Sequence, residues 1–153
     1  MKEPCDLHPG LTLEVRDQVA VITIDRPTKQ NALTLDMWQQ LAIWVKELPG
    51  TVAVLILTGA GEAFTSGSDL DEFLTMTPNE VNRAFSEMHG AIQTIERTSV
   101  LTIARISGVA FGAGFLLALA CDLRIGTPKA RFGIPVTRLG IILQPSFLGR
   151  LIR

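Results

Sequence analysis

Two glycine-rich turns hold the residue types best suited to chemistry. The first is Gly59-Ala60-Gly61-Glu62-Ala63-Phe64-Thr65-Ser66-Gly67-Ser68-Asp69, and the second is Gly108-Val109-Ala110-Phe111-Gly112-Ala113-Gly114. Each follows an apolar run and opens towards a helical pattern. The first N–H groups of a helix lack intrahelical partners and carry partial positive charge. Two such groups aimed at one point can hold the charge that develops on a carbonyl oxygen. Glycine permits the φ values and close approach that such a loop needs. The same glycines also serve plain tight turns in a compact α/β domain, and the pattern alone weighs the two readings evenly.

Other glycine-loop chemistries fail on detail. A dinucleotide fingerprint needs a third small residue, and Leu117 occupies that position after Gly112 and Gly114. Neither turn is followed by Gly-Lys-Ser/Thr, so a P-loop is excluded. There is no G-x-S-x-G nucleophile elbow. Asp69-x-x-Glu72 also reads as an N-cap with a capping box for the next helix.

The elements that position these turns follow from hydrophobic pattern. Residues 1–10 are polar, hold Pro4, Pro9 and Gly10, and read as a loose lead-in to a domain over 11–153. Leu11, Leu13 and Val15 alternate with polar residues, Val19 to Ile24 reads as a strand, and Asp17-Gln18 predicts a hairpin. A helix starts near Thr34 and stops at Pro49-Gly50. Val52 to Thr58 is almost wholly apolar, which predicts a parallel strand covered on both faces. Thr77, Pro78 and Glu80 form a capping box that opens a long helix with one apolar stripe. Val100 to Ile106 is a buried strand, residues 107–112 a turn, and Ala113 to Ala120 a short, wholly apolar helix. Leu123 to Ile125 and Ala130 to Gly133 read as strands, and Pro145 to Ile152 as the start of a helix. Alternating strands and helices predict an α/β fold of right-handed βαβ units.

The 153 residues carry a net charge of −1 and are 47% hydrophobic, enough apolar content for a sizeable core. Near-neutral charge argues against a nucleic-acid partner, and no apolar run is long enough for a membrane span. The N-terminus lacks an apolar signal region. Cys5 and Cys121 make neither a disulfide framework nor a zinc pattern, so no metal is expected and a cytoplasmic location is the simplest reading.

Five ordered segments, Asp25 to Leu33, Ala63 to Leu70, Ser107 to Gly114, Cys121 to Arg124 and Ala130 to Pro135, resemble the enoyl-CoA hydratase/isomerase (crotonase) superfamily. The resemblance runs from about residue 12 to the end of the sequence. It implies a crotonase-like ββα spiral, and the shared chemistry of polarising an acyl-CoA thioester carbonyl to stabilise its enolate. By position, the backbone N–H groups of Ser68 and Ala113 would form the oxyanion hole. The family usually has glycine at the second position, but only the backbone acts there. Lys29, Ala32, Leu33, Ser66, Asp69, Leu70, Phe111 and Gly114 would line the CoA and acyl site. Lys29 could meet a CoA phosphate, although a solvated loop lysine explains it equally well. The resemblance implies acyl-CoA as partner, no cofactor beyond the coenzyme A of the substrate, and a place in fatty acid metabolism as a lyase or isomerase.

The acids depart from the family. The positions where hydratases usually carry two glutamates hold Leu116 and Val136, and the glutamate position of some isomerases holds Gln144. None can transfer a proton. Asp71, Glu72, Glu80, Glu87 and His89 lie in or after the first turn, and His89 reads as a surface or groove histidine. The alternative to an enzyme is therefore a non-catalytic acyl-CoA binder. The resemblance implies C-terminal helices that complete the acyl pocket and build trimers, and the sequence up to Arg153 is expected to reach only the first turns of the helix after the core. A homo-oligomer of that type is doubtful without them, and Phe115, Leu119 and Phe147 are expected to be under-covered.

Overall fold

The computed structural model describes residues 5–135 and, beyond them, positions 140, 145, 149 and 151. Strands β1 (Cys5–His8), β2 (Leu11–Arg16) and β3 (Val19–Ile24) form an antiparallel meander. Helix α1 (Leu35–Lys46) leads to β4 (Val54–Gly59), and helices α2 (Leu70–Phe73) and α3 (Pro78–Arg97) lead to β5 (Leu101–Ile106). Strand β6 (Val109–Phe111) and helix α4 (Ala113–Ala120) precede β7 (Leu123–Gly126) and β8 (Arg131–Gly133). The main sheet has the order β1-β2-β3-β4-β5-β7, parallel from β3 onward. β6 and β8 pair in parallel as a separate two-stranded sheet.

This is the α/β, crotonase-like architecture expected, with three differences. Residues 5–8 are not a loose lead-in, because they pair with β2. The expected turn at 107–112 contains β6, whose partner β8 lies about 20 residues on and cannot be read locally. The third difference concerns the cover of the sheet. Each parallel strand is added on the same side of the last one, and right-handed crossovers then put α1, α3 and α4 on one face.

That face is the core. Ala20, Ile22, Ile24, Leu55, Leu57, Ala104 and Ile106 pack with Met37, Trp38, Leu41, Ile92, Ile95 and Leu116 from the helices. The opposite face stays partly open: Leu101, Leu123 and Ile125 are 42%, 49% and 60% exposed. The apolar runs thus have two apolar faces, of which one is covered by helices. Phe115 and Leu119 are half-buried, with the Phe115 ring tilted against that of Phe132 at 5.3 Å between centroids. Phe147 lies outside the described residues, and of the expected last helix the described positions 145, 149 and 151 are helical.

Candidate active site

The segment before α1 sets the first turn. Gln30 and Asn31 lie in the left-handed region at φ 50° and 56°, where asparagine is one of the better-tolerated residues. Asn31 is fully buried and its side chain is saturated. Its Oδ1 accepts from Arg26 N at 2.9 Å, and its Nδ2 donates to Ala60 O and Ala63 O at 2.9 and 2.8 Å. Thr65, also fully buried, donates from Oγ1 to Asn31 O at 2.6 Å and accepts from Gly67 N at 3.0 Å. These two side chains tie residues 26–31 to residues 60–67.

Asp69 closes the turn. Its Oδ1 accepts from Asp71 N at 3.1 Å and caps α2, while Oδ2 accepts from Arg26 Nη1 at 2.8 Å. The same Nη1 donates to Ala32 O at 2.7 Å. Burial opposes ionisation of Asp69, but the hydrogen bond and charge of Arg26, with the Asp71 N–H, hold its carboxyl below the usual range. The expected capping box forms only in part. Glu72 turns instead to α1, where its Oε2 accepts from Leu35 N at 2.8 Å. An unpaired helix N-terminus nearby outcompetes the local partner.

Ser68 and Leu33 form an isolated parallel bridge. Leu33 N donates to Gly67 O and Asp69 N donates to Leu33 O, both at 2.8 Å. In such a pairing the peptide groups flanking a residue face the partner, so the N–H of Ser68 itself points away from Leu33. Its hydroxyl accepts from Trp38 Nε1 at 3.1 Å and donates to Met88 Sδ at 3.5 Å.

The second turn docks on the first. Gly67 has φ +100°, and a Cβ there would stand 2.9 Å from Phe111 O and 3.0 Å from Ala113 N. A Cβ on Gly114 would strike Thr65 O. Only glycine allows the first turn to lie this close to the N-terminus of α4. Thr65 N donates to Val109 O, and Phe111 N donates to Thr65 O, both at 3.1 Å. Gly112 N donates to Gly133 O at 2.8 Å, which uses the second sheet to hold the turn. Among the described residues, the N–H groups of Ser68 and Ala113 make no hydrogen bond.

The other expected site residues fare differently. Lys29 is exposed, and its Nζ bonds Asp71 Oδ2 at 2.6 Å, a pairing that raises its pKa. Leu33 is fully buried, so it serves through its backbone, and Ala32 is also buried. Ser66 and Phe111 are half-buried, Leu70 is exposed and Gly114 is buried. Leu116 lies in the core at 2% exposure, while Val136 and Gln144 fall outside the described residues.

The acids of the first turn all have other partners: Glu62 pairs with Lys129 at 3.5 Å, Asp69 with Arg26, Asp71 with Lys29 and Glu72 with Leu35 N. His89 is half-buried on α3. Burial pushes the Cys121 thiol up to about 12, which makes it a poor nucleophile. Among the described residues no group of three or more His, Cys, Asp or Glu could hold a metal ion. In the same residues no helix is long and apolar enough to cross a membrane. Sequence reasoning missed Arg26, Asn31, Thr65 and Trp38 as positioning groups. Only Asn31 carried a local signal, as a residue tolerant of positive φ.

Comparison with known proteins places the fold. A family model described as enoyl-CoA hydratase/isomerase matches residues 14–153. The short-chain-enoyl-CoA hydratase of Clostridium acetobutylicum is 38% identical over 144 residues, covering 92% of this chain and 54% of the relative. An enoyl-CoA hydratase/carnithine racemase structure from Magnetospirillum magneticum superposes with a TM-score of 0.88 at 29% identity, over 96% of this chain and 57% of that one. A Thermobifida fusca protein solved in complex with acetoacetyl-CoA gives 0.84 at 32% identity, over 94% and 60%. The chain spans about half the length of the curated relatives it matches.

Proposed function

The chain belongs to the enoyl-CoA hydratase/isomerase family, and from that premise we propose that it acts on acyl-CoA thioesters through a backbone oxyanion hole. The observation that carries this reading is the docking of Gly67 against the N-terminus of α4, with the N–H groups of Ser68 and Ala113 left unclaimed among the described residues. In this reading the thioester oxygen accepts from both N–H groups. When water adds to the 2,3-double bond, or when an α-proton passes to a base in the bulk solvent, an electron pair spreads onto that oxygen, where the two donors hold it. The donors are preorganised by Asn31, Thr65 and the glycine contacts, so little reorganisation is needed as charge develops. In this reading Leu70, which is exposed, and Phe111, which is half-buried, would line the acyl group. A CoA phosphate reaching Lys29 would have to share it with Asp71. No cofactor is called for beyond the coenzyme A of the substrate.

A second reading is favoured by one set of observations. Leu116 is a core residue, and each acid of the first turn is held elsewhere. With each of these carboxylates paired elsewhere, the same site would bind acyl-CoA without turning it over. Incubation with a 2-enoyl-CoA and a 3-enoyl-CoA, following hydration and isomerisation, separates the two. Turnover that Ser68→Pro abolishes, in a variant whose circular dichroism is unchanged, supports the enzyme. Calorimetric binding of acyl-CoA without turnover selects the binder. Absence of binding overturns both.

A further inference from the structure

The Ser68 side chain is held more firmly than a turn serine requires. Trp38 is buried on α1, and its indole has one polar hydrogen, which needs an acceptor out of water. Ser68 Oγ is that acceptor at 3.1 Å, and the serine hydrogen is directed to the buried Met88 Sδ on α3 at 3.5 Å. The hydroxyl is therefore fixed from two helices, one on each side. Leu33 fixes the flanking peptide groups through Gly67 O and Asp69 N. With the side chain and both flanking peptides held, the Ser68 N–H, trans to the Gly67 carbonyl that Leu33 N binds, has one direction left to it.

We propose that Trp38 is a positioning residue, which aims the Ser68 N–H at the thioester oxygen by anchoring the Ser68 hydroxyl. The inference rests on the oxyanion-hole reading above. Ser68→Ala keeps the N–H and removes the anchor, and Trp38→Phe keeps a buried ring and removes the donor. The double variant removes both partners at once, which isolates their coupling.

The readout is the carbonyl carbon resonance of butyryl-CoA labelled with carbon-13 at the thioester, a ligand without a double bond to hydrate or shift. Hydrogen bonds to the carbonyl move this resonance downfield on binding. The unsubstituted chain is expected to show that shift, each single variant to lose most of it, and the double variant to lose no more. Affinity for CoA without an acyl group, measured by calorimetry, should be unchanged in all three. A shift retained in Trp38→Phe overturns the inference, as does a loss matched by an equal loss of CoA affinity. If Trp38→Phe does not fold, Ser68→Ala decides alone, and a retained shift there overturns it. An absent shift in the unsubstituted chain overturns the reading of the site itself, and this inference with it.

Discussion

Asn31 does at one position what several residues of the first turn need. It accepts from Arg26 N, donates to Ala60 O and Ala63 O, and holds a left-handed backbone at φ 56°. Asn31→Ala loses three hydrogen bonds and puts at φ 56° a residue that tolerates left-handed backbone less well than asparagine, so a loss of about 3 kcal/mol is expected in urea unfolding. Asn31→Gly loses the same bonds without the strain, and its loss should be smaller by about 1 kcal/mol. Equal losses would show that the backbone conformation costs nothing there. At this scale the proposed donors Ser68 and Ala113 follow from the order of the motifs, and both N–H groups are without a hydrogen bond among the described residues; a backbone donor depends on chain position more than on side-chain type. The sequence did not announce Trp38 or Thr65. Their partners are 30 and 34 residues away, and nothing local marks them.

Among the elements, the contrast between two caps is instructive. Thr77 and Glu80 form their box as the local pattern predicts, with Thr77 N donating to Glu80 Oε2 at 2.6 Å. Glu72, at the same spacing from Asp69, spends its carboxylate on α1 instead. The first pair sits on an exposed helix end where only local partners compete, and the second lies beside another helix terminus. A further tertiary clasp joins β5 to the end of α4. Asp122 Oδ2 accepts from Thr102 N and Thr102 Oγ1, both at 2.8 Å, and Asp122 N donates back to Thr102 Oγ1 at 2.9 Å. The Thr102 backbone and side-chain bonds hold the Asp122 carboxyl below its usual range. Its folded pKa is thus lower than its unfolded one. The stabilisation is complete above the unfolded value and is lost as pH falls through the folded value. Asp122→Asn should therefore cost about 1 kcal/mol at neutral pH, a modest figure because the carboxylate is exposed, and should flatten the fall of stability in acid. Urea midpoints at several pH values check this, and a parallel fall in both proteins would refute it.

For the whole molecule, the decisive feature is that the parallel strands from β3 onward are added in one direction, which with right-handed crossovers leaves one sheet face without helices among the described residues. Register aligns Val21, Ile56, Ile103 and Leu123 in one row across that face, with Ile125 in the next row on the edge strand β7. Exposed apolar edges invite association. Ile125→Lys is expected to reduce light scattering at high concentration while moving the unfolding midpoint by no more than about 0.5 kcal/mol. Unchanged scattering would show that this edge does not drive association. The sequence by itself determined the elements other than β1 and β6, the helix start near Thr34, the cap at Thr77, the parallel class of the sheet and the positions of the two glycine-rich turns. These depend on local periodicity, propensity and chain order, which any segment carries within itself. Only the tertiary structure decided which apolar face is covered, that residues 5–8 join the sheet, and that Asp69 and Glu72 serve Arg26 and α1. Those outcomes depend on crossover handedness and on competition between partners far apart in the chain, which no local pattern encodes.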